Sequence, residues 1–167
     1  MRLSDLDDFG AALGHSGPQP ARAYDGLCLL CDRVIGVKLF TIMDHDPRRD
    51  LVRRLYSNMP DAYPVSGTKP ADKSSPWYAQ VIGRQEIFSA NSYHGITGVF
   101  ADHALIRTLG CAAVINIPIV VAGEVLGTLN CLHAEGFYTP DKVAAAANLK
   151  LPGAACLLLG QLMSGRP

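Results

Sequence analysis

Five cysteines are the first residues that could do chemistry: Cys28, Cys31, Cys111, Cys131 and Cys156. Cys28-Leu29-Leu30-Cys31 has the spacing of a redox or metal-binding pair. A redox pair sits at a helix N-terminus, where the dipole lowers the thiol pKa, and a zinc site needs further ligands. Here the pair falls inside an apolar helical stretch and no second C-x-x-C follows, so packing is its expected role. An odd set of cysteines scattered among apolar residues is how free buried thiols look in a reducing compartment, and the cytoplasm is the expected location. The sequence has no Ser/His/Asp ordering, paired-carboxylate motif, phosphate loop or H-E-x-x-H. Catalysis is not expected.

Amides, histidines and arginines are the other candidates. In the segment Ala112 to Val121, strand alternation puts Ala113, Ile115, Ile117 and Ile119 on one side and Val114, Asn116 and Pro118 on the other. In Glu124 to His133, Leu129 and Cys131 alternate with Thr128, Asn130 and Leu132. The all-apolar set should meet helices, so Asn116 and Asn130 project from the opposite face on neighbouring strands. A buried amide must find partners, because an unmet polar group costs ~1–3 kcal/mol. Two readings stand: the amides bind a small polar ligand, or they bond each other, loop backbone or water. His103 and Arg107, four apart, share a helix face with Phe100. They could hold an anionic ligand, a histidine could ligate haem iron, or they form a solvated side opposite Ala101, Ala104, Leu105 and Thr108. Arg48-Arg49 and Arg53-Arg54 read as a solvated basic edge.

These residues must be positioned by a regular scaffold. Leu3, Leu6, Phe9 and Leu13 predict a first amphipathic helix, capped by Ser4 with Asp7, and Gly14 to Pro20 breaks it. Tyr24, Leu27, Cys28, Cys31, Val34 and Ile35 predict a second helix ending at Gly36. Val37 to Asp44 and Leu51 to Asn58 read as a hairpin about the turn Asp44-His45-Asp46-Pro47. A loose segment, Met59 to Ser75, leads to a short helix with Ser75 as cap and Pro76 at its first position. Ile87 to Ala90 is a minor strand, Asn91 to Val99 irregular, and Phe100 to Leu109 helical. Ala122-Gly123 turns the closing hairpin, and Thr139-Pro140 opens a last helix that Pro152-Gly153 should kink. Antiparallel strand pairs with helices before and after predict an α+β fold, the sheet covered by helices on one face and by loops and short helices on the other. A loop-roofed sheet face is a natural place for a small-molecule cavity.

Composition narrows the partners. The 167 residues suit one domain, 49% of them are hydrophobic and 18% charged, so a disordered chain is excluded. Fifteen Lys+Arg cancel fifteen Asp+Glu, which leaves no basic excess for a nucleic-acid binder. Uninterrupted apolar stretches fall short of the ~20 residues that span a bilayer, so no membrane association is expected. The acidic start lacks the apolar core of an export signal.

Read in order, the chain resembles a GAF domain, the small-ligand sensing module of phytochromes, cyclic-nucleotide phosphodiesterases and bacterial regulators. The resemblance is carried by Val37-Lys38-Leu39-Phe40-Thr41-Ile42, by Pro76 to Ile87, and above all by Asn116-Ile117-Pro118-Ile119 through Gly123 to Gly127-Thr128-Leu129. Phe137-Tyr138-Thr139-Pro140-Asp141 resembles the family's lead into its final helix. The match spans residues 20 to 162. It implies a twisted antiparallel sheet of about six strands, helices on one face and a ligand pocket on the other. Combined with alternation, it places Leu39, Thr41, Val114, Asn116, Asn130 and Leu132 toward the pocket, and Phe40 and Ile42 toward the helices. Tyr93 and His94, in a glycine-flanked loop, should roof the pocket, with Phe100 and His103 beside them. The expected organisation is an N-terminal helix and linker over 1–19, a GAF-like domain over 20–163 and a tail over 164–167.

The family's one catalysis, reduction of free methionine sulfoxide, needs a reactive thiolate and a resolving cysteine near the pocket, and no cysteine lies between Lys38 and Gly110. The same lack argues against a bilin thioether, so no cofactor, haem or bilin, is expected. Neutral amides stand where acid-lined relatives carry carboxylates, which favours a neutral or weakly anionic metabolite. The expected protein is a sensory module acting through a homodimer of first and last helices or through a regulatory partner, since no effector domain accompanies the pocket. The alternatives are a structural dimerisation module with a filled pocket and, third, a thiol oxidoreductase.

Overall fold

The closing hairpin organises the sheet. Ala122 (φ 50°) and Gly123 (φ 82°) both take left-handed backbone, as a two-residue turn matched to strand twist requires. They join β5 (Ala113–Val121) to β6 (Glu124–His133). β6 also pairs with β1 (Leu39–Asp46), which pairs with β2 (Leu51–Ser57), and a two-residue β3 (Lys69–Pro70) extends that side. β4 (Phe88–Ala90) lies on the outer edge of β5. The sheet is antiparallel with the order β3-β2-β1-β6-β5-β4. The computed structural model describes residues 2–49, 51–65 and 68–165.

Helices α1 (Leu3–Leu13), α2 (Ala21–Ile35), α6 (Pro140–Ala145) and α7 (Lys150–Met163) gather on one face. There Phe40, Ile42, Ile115, Ile117, Ile119 and Leu129 meet Leu27, Ile35, Leu149 and Leu157, all almost wholly buried. The opposite face carries shorter pieces: a turn α3 (Pro76–Tyr78) running into a wider turn at Ala79–Gly83, α4 (Tyr93–Thr97) and α5 (His103–Thr108). Ile96 and Ile106 anchor them on Leu39, Val114 and Leu132. The α+β architecture and the sorting of the strand residues between faces are as the alternation predicts.

The elements depart from the sequence reading at five places. α1 is capped by Arg2 and Asp5, not Ser4 and Asp7: the Asp5 carboxylate accepts from the Arg2 backbone N–H at 2.8 Å and from its guanidinium at 2.9 Å. β1 runs on to Asp46 because the Asp46 side chain accepts the N–H groups of Arg48 and Arg49, moving the turn two residues later. Residues 91–99 are not wholly irregular, since Ser92 accepts from Gly95 N–H and starts α4. The helix expected over Phe100 to Leu109 begins only at His103. The interruption expected at Pro152-Gly153 falls at Ala146–Leu149, a tighter turn of helix, because a proline ring crowds the carbonyl four residues before it.

Two further expectations are revised by packing. The run Pro140–Met163, 24 residues containing an 18-residue window of mean hydropathy 1.5, is by length and composition long and apolar enough to cross a membrane. Its charges are few enough that counting uninterrupted apolar runs missed it. In this fold Leu149, Pro152, Gly153, Cys156 and Leu157 of that run are buried. The glycines of α7 face inward, not toward a dimer seam. A Cβ on Gly153 would lie 2.6 Å from Ile119 Cδ1, and Gly160 stands directly against the Tyr24 hydroxyl. Of the tail expected over 164–167, Arg166 and Pro167 lie outside the described residues.

Two predictions follow from this packing. Gly127 on β6 passes so close to Met43 on β1 that a Cβ would meet the Met43 carbonyl oxygen, and backbone cannot step aside cheaply. Gly127→Ala should lower unfolding free energy by about 2 kcal/mol or more, whereas Gly10→Ala, on open helix surface, should raise it by about 0.5–1 kcal/mol; urea unfolding measures both. His133 stacks on Phe137 with centroids 3.3 Å apart, and its Nδ1 accepts from Ala134 N–H at 2.8 Å. Burial first, then Lys142 and Lys38, holds its pKa below the usual 6.5. The fold thus favours the neutral ring, so its contribution is complete above pH 6.5 and is lost as pH falls through the lowered value. His133→Gln should flatten stability against pH between 7.5 and 5 in the same unfolding assay.

Candidate functional site

On the loop-covered face one cross-strand row is polar. Asn116 of β5 lies opposite Asn130 of β6, and Asn130 lies opposite Thr41 of β1. All three are at least nine-tenths buried, so their hydrogen bonds are obligatory. Trp77 Nε1 donates to Asn116 Oδ1 at 2.9 Å, Asn116 Nδ2 to Asn130 Oδ1 at 2.6 Å, and Asn130 Nδ2 to Thr41 Oγ1 at 3.1 Å. Trp77 reaches the row because Ser75 caps the turn that follows it, accepting from Tyr78 N–H, with Pro76 at the first helical position. Of the two readings of the amides, mutual bonding is therefore realised.

The row floors a cavity of about 360 Å³. Val114 and Leu132 continue its floor, Phe100 and Ile106 form one wall, and Val52, Met43 and Arg54 from the first hairpin form another. Asp72 and Asp102 also line it, Asp102 beside Tyr63. The Tyr63 hydroxyl donates to Asp102, and burial followed by that carboxylate pushes the phenol pKa up. The Arg54 guanidinium lies 3.9 Å over the Tyr63 ring and donates from Nη1 to the Pro64 carbonyl at 2.6 Å, while its Nε is buried with no partner among the described residues. Asp72 is held below the usual carboxylate range by hydrogen bonds from Ser74. Two other clefts, of about 390 Å³ beside Tyr24 and Arg53 and about 490 Å³ between α1 and α2, lack such a row of buried amides.

The sequence-predicted site residues divide. Thr41, Phe100, Val114, Asn116, Asn130 and Leu132 line the cavity. Leu39 is fully buried among Val114, Ile106 and Leu132 and does not line it. Tyr93, His94 and His103 are also away from it. α4 turns Ile96 inward, which leaves His94 exposed and joins Tyr93 to His103 Nδ1 at 2.8 Å, with Arg107 4.5 Å over the Tyr93 ring. Arg107 is exposed as one reading had it, yet so are Ala101, Ala104, Leu105 and Thr108; only Ile106 of α5 is buried. Sequence reasoning missed Trp77 as a floor partner, Tyr63 with Asp102, and above all Arg54, which it left on a solvated edge.

No cysteine lines the cavity, although Cys111 packs in the loop-side cluster with Val114 and Leu132. Cys31, Cys131 and Cys156 belong to the helix-side core. Burial pushes the Cys31 thiol well up and those of Cys28 and Cys156 to about 12; Cys111 is raised by burial against an opposing effect of Lys38. Among the described residues no group of three or more His, Cys, Asp or Glu side chains is placed to hold a metal ion.

No family model matches the chain, and no curated protein does. Solved structures do. The GAF domain of a phosphoenolpyruvate-protein phosphotransferase from Coxiella burnetii superposes with TM-score 0.70 at 14% identity, over 98% of this chain and 95% of that one. This chain has the GAF-domain fold. The GAF domain of a two-component sensor histidine kinase from Bacillus halodurans gives TM-score 0.66 at 12% identity, covering 84% of this chain and 95% of that one. Residues 122 to 287 of a methyl-accepting chemotaxis protein give 0.67 at 13%, covering 95% and 98%. The integrity of the polar row is testable. Asn116→Asp would set a carboxylate oxygen against Asn130 Oδ1, so unfolding free energy should fall by about 2–3 kcal/mol, and by more at pH 8 than at pH 5, where the introduced acid is easier to keep neutral. Urea unfolding at the two pH values checks the direction.

Proposed function

We propose that this chain is a small-molecule-binding sensory GAF domain, acting in the cytoplasm through self-association or a regulatory partner and not as an enzyme. The observation that carries this reading is the cavity of about 360 Å³ floored by a buried, hydrogen-bonded amide row. A filled structural pocket would need bulky rings across that face. Phe40 packs on the helix side against Tyr56, and the rings that do reach the face, Trp77, Phe100 and Tyr63, line the cavity and leave about 360 Å³ between them. The GAF domains it superposes on belong to a sensor kinase and a phosphotransferase protein, which favours regulation. Burial raises the thiols of Cys28, Cys31, Cys111 and Cys156, and no cysteine lines the cavity, which speaks against a thiol oxidoreductase.

Self-association is supported by exposed leucines on the terminal helices. Leu3, Leu151 and Leu162 are 83%, 80% and 76% exposed, and Leu158 lies between the last two on one side of α7. Native mass spectrometry of protein purified without denaturation is expected to find paired subunits, each retaining one small molecule. Bare monomer, together with no thermal stabilisation by nucleotides, amino acids or aromatic acids, would remove this reading.

A further inference from the structure

The polar row has a direction, and the direction selects a ligand. An indole N–H can only donate, so Asn116 Oδ1 must face Trp77. That turns Asn116 Nδ2 toward Asn130 Oδ1, and Asn130 Nδ2 toward Thr41 Oγ1. Each of the three oxygens therefore already accepts one bond. The same bonds leave three protons over: the second N–H of each amide and the Thr41 hydroxyl proton. Arg54, whose partner Met43 lies two residues along β1 from Thr41, adds a guanidinium whose Nε is buried and, among the described residues, unpartnered. A cavity floor rich in donors with one cation recognises an acceptor-rich, anionic group.

Charge and shape narrow the class further. Asp72 is hydrogen-bonded by Ser74 and Asp102 by the Tyr63 hydroxyl, and these two carboxylates oppose any negative charge beyond the one that Arg54 meets. Val114, Leu132, Ile106 and Phe100 present apolar surface to its remainder. We infer that the cavity takes a small organic monocarboxylate, its carboxylate set against Thr41, Asn130 and Arg54 and its apolar body against Val114 and Leu132. The inference rests on the reading of this cavity as a ligand site.

Trp77 is the only tryptophan in the chain and lines the cavity, so its emission reports occupancy. Benzoate, benzylamine and phenyl phosphate share one apolar body and differ in the charge and shape of the head. Benzoate is expected to shift Trp77 emission and raise Tm, with benzylamine and phenyl phosphate much weaker. Thr41→Val and Arg54→Met should each weaken benzoate roughly tenfold or more, in protein whose circular dichroism is unchanged. Two variants at separate strands keep the test valid if one fails to fold. Equal or tighter binding of benzylamine or phenyl phosphate would overturn the carboxylate assignment, as would benzoate binding that both variants leave intact. A different molecule retained in the native mass spectrum, with no response to benzoate, would overturn the assignment and leave the sensing reading standing. Bare protein that answers none of the three probes would overturn both.

Discussion

The bond from Trp77 Nε1 to Asn116 Oδ1 orients the whole polar row on the loop-covered face. Asparagine amides are symmetric enough in shape to sit either way round, and a row of them could run in either direction. Anchoring the row at a group that cannot accept removes that freedom. The donors then point from β5 through β6 to β1, across the central strands of the sheet. In surroundings of low dielectric each bond is strengthened and each alternative made costly. The roof and the floor are consequently not independent: the turn that carries Trp77 holds the amides in register, and the amides hold the turn down.

This coupling is possible because the two sheet faces are unlike. The helix side is closed by aliphatic residues such as Ile115, Ile117 and Leu129 with almost no exposure, and supplies the non-directional stabilisation that a domain of this size needs. The second face has a smaller apolar cluster around Leu39, Ile96, Ile106 and Leu132, enough to seat short helices without filling the space beneath them. A hydrophobic face on one side leaves the other free to be polar.

Much of this was legible in the sequence. Period-two alternation in Ala113 to His133 separates the apolar set from Asn116 and Asn130 without any structural knowledge, but not their pairing: counted from the Ala122-Gly123 turn, Asn116 would face Leu129, and the residue left over at Leu126 is what brings Asn130 opposite it. Ser75-Pro76 announces the turn that brings Trp77 into place. What periodicity could not supply was the conformation of short irregular pieces. α4 is five residues long, and its orientation is set by Ile96 finding a hole in the loop-side cluster, a tertiary event that sent Tyr93 and His94 outward. Leu39 shows the converse: alternation named its face correctly, but a face also contains the residues packed underneath the cavity.

Arg54 is the instructive case, because its position depends on one extra residue. Ile42 pairs with Tyr56 and Met43 with Arg54, so Leu55 is left over in β2 as a bulge. Leu55 and Tyr56 both pack toward the helix-side core, while Ser57 pairs with Thr41 on one side of the bulge and Arg54 and Val52 line the cavity on the other. Strict alternation counted back from Ser57 would place Arg53 over the cavity and Arg54 among the helices. The bulge exchanges them. Arg53 goes to Asp44, 2.9 Å away, and Arg54, with no carboxylate partner among the described residues, is the one that lines the cavity with the amide row. A single inserted residue thus decides which cation the cavity receives, and a bulge leaves no mark in composition, charge or hydropathy by which a sequence could announce it.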